Sequence, residues 1–104
     1  MTSLSDALKL VDEKRIIELS KQVIEIPSIS GDEKQVMEHA KKLLEDMGVH
    51  VEALGSEDRP IIYACINPEA EKQIIFNGHL DVVPIAKPDA WTKDPWKPVV
   101  EDGM

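Results

Sequence analysis

The segment IIFNGHLDVV, residues 74–83, carries an apolar run into a glycine, an imidazole and a carboxylate, Gly78, His79 and Asp81. In an extended backbone residues i and i+2 point to the same side, about 6.5–7 Å apart. That spacing lets an imidazole and a carboxylate meet each other or converge on a shared ion. One arrangement has His79 taking a metal on one ring nitrogen while Asp81 accepts a hydrogen bond from the other, which fixes the tautomer and its basicity. Gly78 lets the backbone turn or approach closely just before the histidine. The carboxyl end of a strand is also where open α/β sheets collect ligands. A bare His-x-Asp is more often an ordinary surface loop; the glycine and the preceding apolar run are what favour the metal reading.

The other candidate groups carry less. His39 flanks the apolar stripe of a helix and His50 opens a strand, so both read as partly solvated residues without a role. Cys65 lies in the apolar run IIYACIN and reads as a small strand hydrophobe, since apolar surroundings leave a thiol inert. As the single cysteine it forms no internal disulfide. Trp91 and Trp96 read as rings covering the edge of a small aliphatic core in preference to a substrate surface. Glu101 and Asp102 read as solvated turn residues.

The elements that must position His79 and Asp81 follow from periodicity. Asp12 suits an N-cap, with Glu13 in the first turn. Ile16, Leu19, Val23 and Ile26 then repeat at helical spacing, widened by Ile17 and Ile24, until Pro27 restricts the residue before it. A connector, Pro27-Ser28-Ile29-Ser30-Gly31, leads to an S-x-x-E capping box at Ser30 and Glu33. A second helix follows on Val36, Ala40, Leu43 and Met47, with Gly48 at a left-handed C-cap and Val49 as its apolar contact. The period then changes. Residues 50–56 and 61–66 read as strands around a polar turn. Residues 73–76 read as a third strand, buried on both faces because nearly every position is apolar. After Pro84 the chain is loop-like, and Val99-Val100 open a fourth strand into an Asp102-Gly103 hairpin turn. Such a turn calls for a return strand, and only Met104 follows, so the expectation is a chain cut from a longer one. The fold class expected is α/β, two N-terminal helices followed by three to four strands.

Composition narrows the function. The chain has 104 residues, 42% hydrophobic and 31% charged, with aromatics at only 4%, so the core must be aliphatic. A formal charge of −8 opposes binding to phosphate backbones and anionic membrane surfaces. No stretch approaches the roughly 20 apolar residues of a membrane span. The N-terminus lacks the basic and apolar regions of a secretory signal, so the cytoplasm is the expected compartment.

With these residues in place, FNGHLDVVP followed by DAWTKDPWKPVVEDGM resembles the zinc-dependent aminoacylase family of metallopeptidases. That family takes in acetylornithine deacetylase, succinyl-diaminopimelate desuccinylase, carboxypeptidase G and carnosine-type dipeptidases. IPSISGDE is similar to the family's connector before its second helix, so the resemblance runs from about Asp12 to the end. It implies that residues 1–104 are the N-terminal part of a catalytic domain, with the rest of that domain and an inserted dimerisation domain lying beyond. It implies His79 as the first zinc-binding histidine and Asp81 as the catalytic-site carboxylate that orients it. It further implies two zinc ions, or cobalt in their place, a homodimeric parent, and hydrolysis of the amide bond of an N-acyl amino acid or dipeptide. The remaining ligands and the glutamate base would lie past Met104, so the 104 residues alone are expected to be inactive and to hold zinc weakly. The competing expectation, of another class, is a non-catalytic assembly module that pairs through an open strand edge.

Overall fold

The structure, a computed structural model, describes residues 2–104. Three α-helices precede a two-stranded sheet, a mixed α/β arrangement: α1 (Leu4–Leu8), α2 (Glu13–Ile24), α3 (Lys34–Asp46), β1 (Val51–Gly55) and β2 (Pro60–Ala64), with a later 3-10 turn at Pro88–Ala90. The N-terminal stretch is a short helix capped by Ser3, whose hydroxyl accepts from the Asp6 N–H at 3.1 Å. Asp12 caps α2 as its sequence suggests, accepting from the Arg15 N–H at 3.1 Å. Ile17, Leu19 and Val23 are half-buried on α2, whereas Ile16 remains 53% exposed. The reason is that α2 packs on α3 and no other named element covers the rest of its apolar stripe.

The start of α3 departs from the expected capping box. Glu33 is the N-cap residue with no side-chain cap bond, and its carboxylate accepts from the Gly31 N–H at 2.8 Å. Ser30 is committed elsewhere: its N–H donates to the Val82 carbonyl at 3.0 Å and its hydroxyl donates to Asp81. The far end matches expectation. Gly48 adopts φ +81°, its N–H donates to the Glu45 carbonyl at 2.9 Å, and the Val49 N–H reaches the Leu44 carbonyl at 3.1 Å. Those two bonds satisfy carbonyls that the helix would otherwise leave open, in the Schellman pattern.

β1 and β2 pair antiparallel from Val51 opposite Ala64 to Gly55 opposite Pro60. Gly55 is required at the corner: its φ is +82°, and an added Cβ would sit 2.8 Å from the Arg59 carbonyl oxygen. The α3 helix lies across both strands, and the core sits at that crossing, where Val36 is 1% and Val51 7% exposed.

Two expected strands are corrected. Residues 73–76 make no strand pairing, and Ile74, Ile75 and Phe76 are 82%, 88% and 93% exposed. An apolar run can be buried on both faces only when strands flank it, and among the described residues none does. Val99 and Val100 likewise form no strand. The turn beyond them does form: Asp102 and Gly103 have φ +51° and +77°, and Glu101 and Met104 exchange two backbone hydrogen bonds of 2.9 Å. Positive φ at both central residues is the hairpin turn that Asp-Gly favours.

Candidate functional site

Without a paired strand leading into it, the segment around His79 takes its position from the connector between α2 and α3. Ile29 and Val82 form an isolated parallel bridge. The Val82 N–H donates to the Ser28 carbonyl at 2.9 Å, and the Ser30 N–H returns to the Val82 carbonyl at 3.0 Å. The Ser28 hydroxyl, on a residue 3% exposed, donates to the Leu80 carbonyl at 2.8 Å. These bonds span just over fifty residues of sequence and hold residues 80–82 against 28–30. The expected placement at the carboxyl end of a buried strand is therefore replaced by a clip between two short extended segments.

Within that clip the two singled-out residues meet. His79 Nδ1 lies 2.9 Å from Asp81 Oδ1 and 3.2 Å from the Asp81 carbonyl oxygen. Both neighbours are acceptors, so the proton belongs on Nδ1 and the lone pair on Nε2. The imidazole is 83% exposed, which leaves Nε2 facing outward. The second carboxylate oxygen, Asp81 Oδ2, accepts from the Ser30 hydroxyl at 2.6 Å. That bond, with a smaller contribution from His79, holds the Asp81 carboxyl below its ordinary value against the opposing effect of burial. The arrangement is therefore an ionised carboxylate with one oxygen on a serine and the other on a histidine, which is suited to orienting the ring and strengthening Nε2 as a ligand.

His79, Leu80 and Asp81 form a partition between two concavities. The larger, of about 610 Å³, has mostly apolar walls that include Val23, Pro84, Ile85, Trp91 and Trp96. That volume lies in the range of small-molecule sites, about 300–1,000 Å³. The two tryptophans thus stand beside the His–Asp pair, Trp96 half-buried and Trp91 54% exposed. The smaller concavity, of about 390 Å³, is edged by Glu33, Arg59 and Ile61. There Arg59 Nη2 lies 3.4 Å from Glu33 Oε1, while Glu33 Oε2 is buried and unpartnered among the described residues.

The remaining candidates stay apart. His39 Nε2 lies 3.1 Å from Gln22 Oε1, tying α3 to α2. His50 is 84% exposed beside Glu52. Cys65 is half-buried just past β2. Glu101 contacts Lys93, and Asp102 occupies the hairpin turn. Sequence reasoning missed Ser28 and Ser30 as supports of the site, assigning Ser30 to helix capping. The serine-rich connector was visible, but nothing local in it points to a partner some fifty residues away.

Among the described residues no group of three or more His, Cys, Asp or Glu side chains converges on a point. One oriented imidazole nitrogen is present, which fits a single ligand of a zinc site; catalytic zinc takes about three protein ligands.

Comparison with known proteins gives a partial likeness. The chain is 33% identical over 90 residues to the succinyl-diaminopimelate desuccinylase of Wolbachia pipientis subsp. Culex pipiens (strain wPip). The aligned part is 85% of this chain and 22% of the relative, so the chain spans about a fifth of that protein's length. This match supports kinship with the desuccinylase family and does not separate its members. No protein-family model and no solved structure matches the chain. No helix among the described residues is long and apolar enough to cross a membrane.

Proposed function

We propose that this chain is the N-terminal part of the catalytic domain of a zinc-dependent amidohydrolase acting on N-acyl amino acids. The observation that carries the proposal is the 2.9 Å bond from His79 Nδ1 to Asp81, which turns Nε2 outward as a ready metal ligand. The likeness to a desuccinylase over 90 residues supports the same reading. Within the family the reading taken is a deacylase of the acetylornithine or succinyl-diaminopimelate type, with a dipeptidase as the alternative.

In this reading His79 supplies one zinc ligand and Asp81 fixes its tautomer. A bound zinc polarises the scissile carbonyl and lowers the pKa of a water molecule. The apolar concavity with Trp91 and Trp96 opens beside the ring. Full activity, dimerisation and the second metal ion belong to the longer protein, and the isolated chain is inactive with only weak zinc affinity.

A chimera tests the activity. This chain replaces the matching 90 residues of the Wolbachia desuccinylase, and hydrolysis of N-succinyl and N-acetyl amino acids is followed. The expected result is turnover that His79→Ala abolishes. A folded chimera whose turnover is indifferent to His79→Ala would overturn the assignment. Zinc titration of the chain itself, read on the imidazole nitrogens by NMR, is the independent check: Nε2 of His79 should be the first nitrogen perturbed.

A further inference from the structure

We propose that Ser30 is a positioning residue for the His79–Asp81 pair: by pinning Asp81 Oδ2, its hydroxyl presents Oδ1 to His79 and selects the ring tautomer with Nε2 free. The inference rests on the reading of His79 as the metal-facing imidazole only for its consequence in zinc affinity. The tautomer selection stands on geometry alone.

Three features of the structure lead to Ser30. First, its hydroxyl has one proton, and two acceptors lie within range: Asp81 Oδ2 at 2.6 Å and the Val82 carbonyl at 3.4 Å. The shorter bond, to an ionised oxygen, takes the proton. Second, Ser30 is itself held in place. Its N–H bonds the Val82 carbonyl, Ile29 bridges Val82, and the next residue, Gly31, donates its N–H to Glu33 at 2.8 Å. The hydroxyl thus projects from backbone fixed on both sides. Third, Asp81 has freedom to lose, because its side chain is 34% exposed. Released from Ser30, the carboxylate can rotate toward water and break its alignment with Nδ1, which leaves the ring only the longer 3.2 Å contact to the Asp81 carbonyl oxygen. Ser30 touches neither the outward-facing Nε2 nor the larger concavity, so its effect must pass through Asp81.

The serine is an exposed residue and makes no contribution to the buried core. Replacing it therefore separates positioning from folding. The test is long-range proton–nitrogen NMR of His79 in the intact chain, under conditions where the ring is neutral, comparing Ser30→Ala and Ser30→Thr with the parent. The parent should be predominantly Nδ1–H. Ser30→Ala should move the ring toward Nε2–H, and Ser30→Thr, which keeps the hydroxyl, should restore it. A tautomer balance unchanged in Ser30→Ala overturns the inference. If Ser30→Ala disturbs amide signals beyond 28–33 and 79–82, Ser30→Cys, of similar size and a weaker donor, gives the same comparison. Zinc added to the same samples should bind about 10- to 100-fold more weakly in Ser30→Ala than in Ser30→Thr. Should zinc leave Nε2 of the parent unperturbed while the alanine variant still shifts the tautomer, the metal reading fails and the role of Ser30 holds.

Discussion

The Ser28 hydroxyl donates to the Leu80 carbonyl oxygen at 2.8 Å, and Ser28 is the buried polar residue of the described chain at 3% exposure. It joins the α2–α3 connector to the residue between His79 and Asp81. The bond is part-buried, so leaving its acceptor without a donor costs toward the low end of about 1–3 kcal/mol. Ser28→Ala should therefore lower unfolding stability by about that amount and speed amide exchange at Val82, whose N–H bonds the Ser28 carbonyl. Denaturant unfolding and hydrogen exchange check both. Unaltered exchange at Val82 would show that the backbone bridge holds without the side chain.

Asp81→Asn tests the carboxylate on its other side. Asparagine keeps the shape of the side chain and one acceptor oxygen, but it loses the charge and one of the two acceptors that serve Ser30 and His79. The side chain is 34% exposed, so the fold should survive. Zinc affinity should fall about 10- to 100-fold, read by titration of the chain. In the longer protein that the proposed function implies, turnover should drop strongly with the fold intact. Near-normal zinc affinity in the asparagine variant would remove Asp81 from the site.

What the sequence made legible was chiefly local. The Asp12 cap, the Gly48 terminus of α3 and the Asp102-Gly103 turn all depend on residues within one turn of each other, and each forms as its residue types require. The His79–Asp81 contact was readable for the same reason, since two residues of extended chain fix it. The clip between residues 28–30 and 80–82 was hidden because its partners are remote in sequence, and Ser30 fits a local capping pattern equally well. The expected third strand misled because apolar composition records what a segment would bury given neighbours, whereas burial depends on neighbours that the sheet of two strands does not supply.

That correction has a measurable consequence. Were Ile74, Ile75 and Phe76 the centre of a buried strand, shortening them would cost about 2–5 kcal/mol each. Their exposures of 82%, 88% and 93% put them on the surface of this chain. Ile74→Ser, Ile75→Ser and Phe76→Ser should each change its stability by no more than about 0.5 kcal/mol. By contrast Val36→Ala, at a site 1% exposed, should cost about 1.5–3 kcal/mol. Thermal or denaturant unfolding of the four variants decides it: large losses at 74–76 would mean that these side chains are packed in solution.

Glu33 supplies a pH dependence whose sign can be fixed. The Gly31 N–H, most of all, then the residue's own backbone and Arg59, hold its carboxyl below the ordinary 4.5, with burial opposing them. A carboxylate whose folded value is depressed stabilises the fold fully above its unfolded value and loses that contribution as pH falls through the folded one. The tie between Gly31 and the first turn of α3 should thus be intact at pH 4.5 and loosen only in more acid solution. The Gly31 amide shift, followed by NMR against pH, should show a midpoint below 4.5 that Glu33→Gln removes. A midpoint at or above 4.5 would mean that the unpartnered Oε2 and its burial outweigh the Gly31 bond. In that event Ser30, which precedes Gly31, would rely on the Val82 bonds alone to aim its hydroxyl at Asp81.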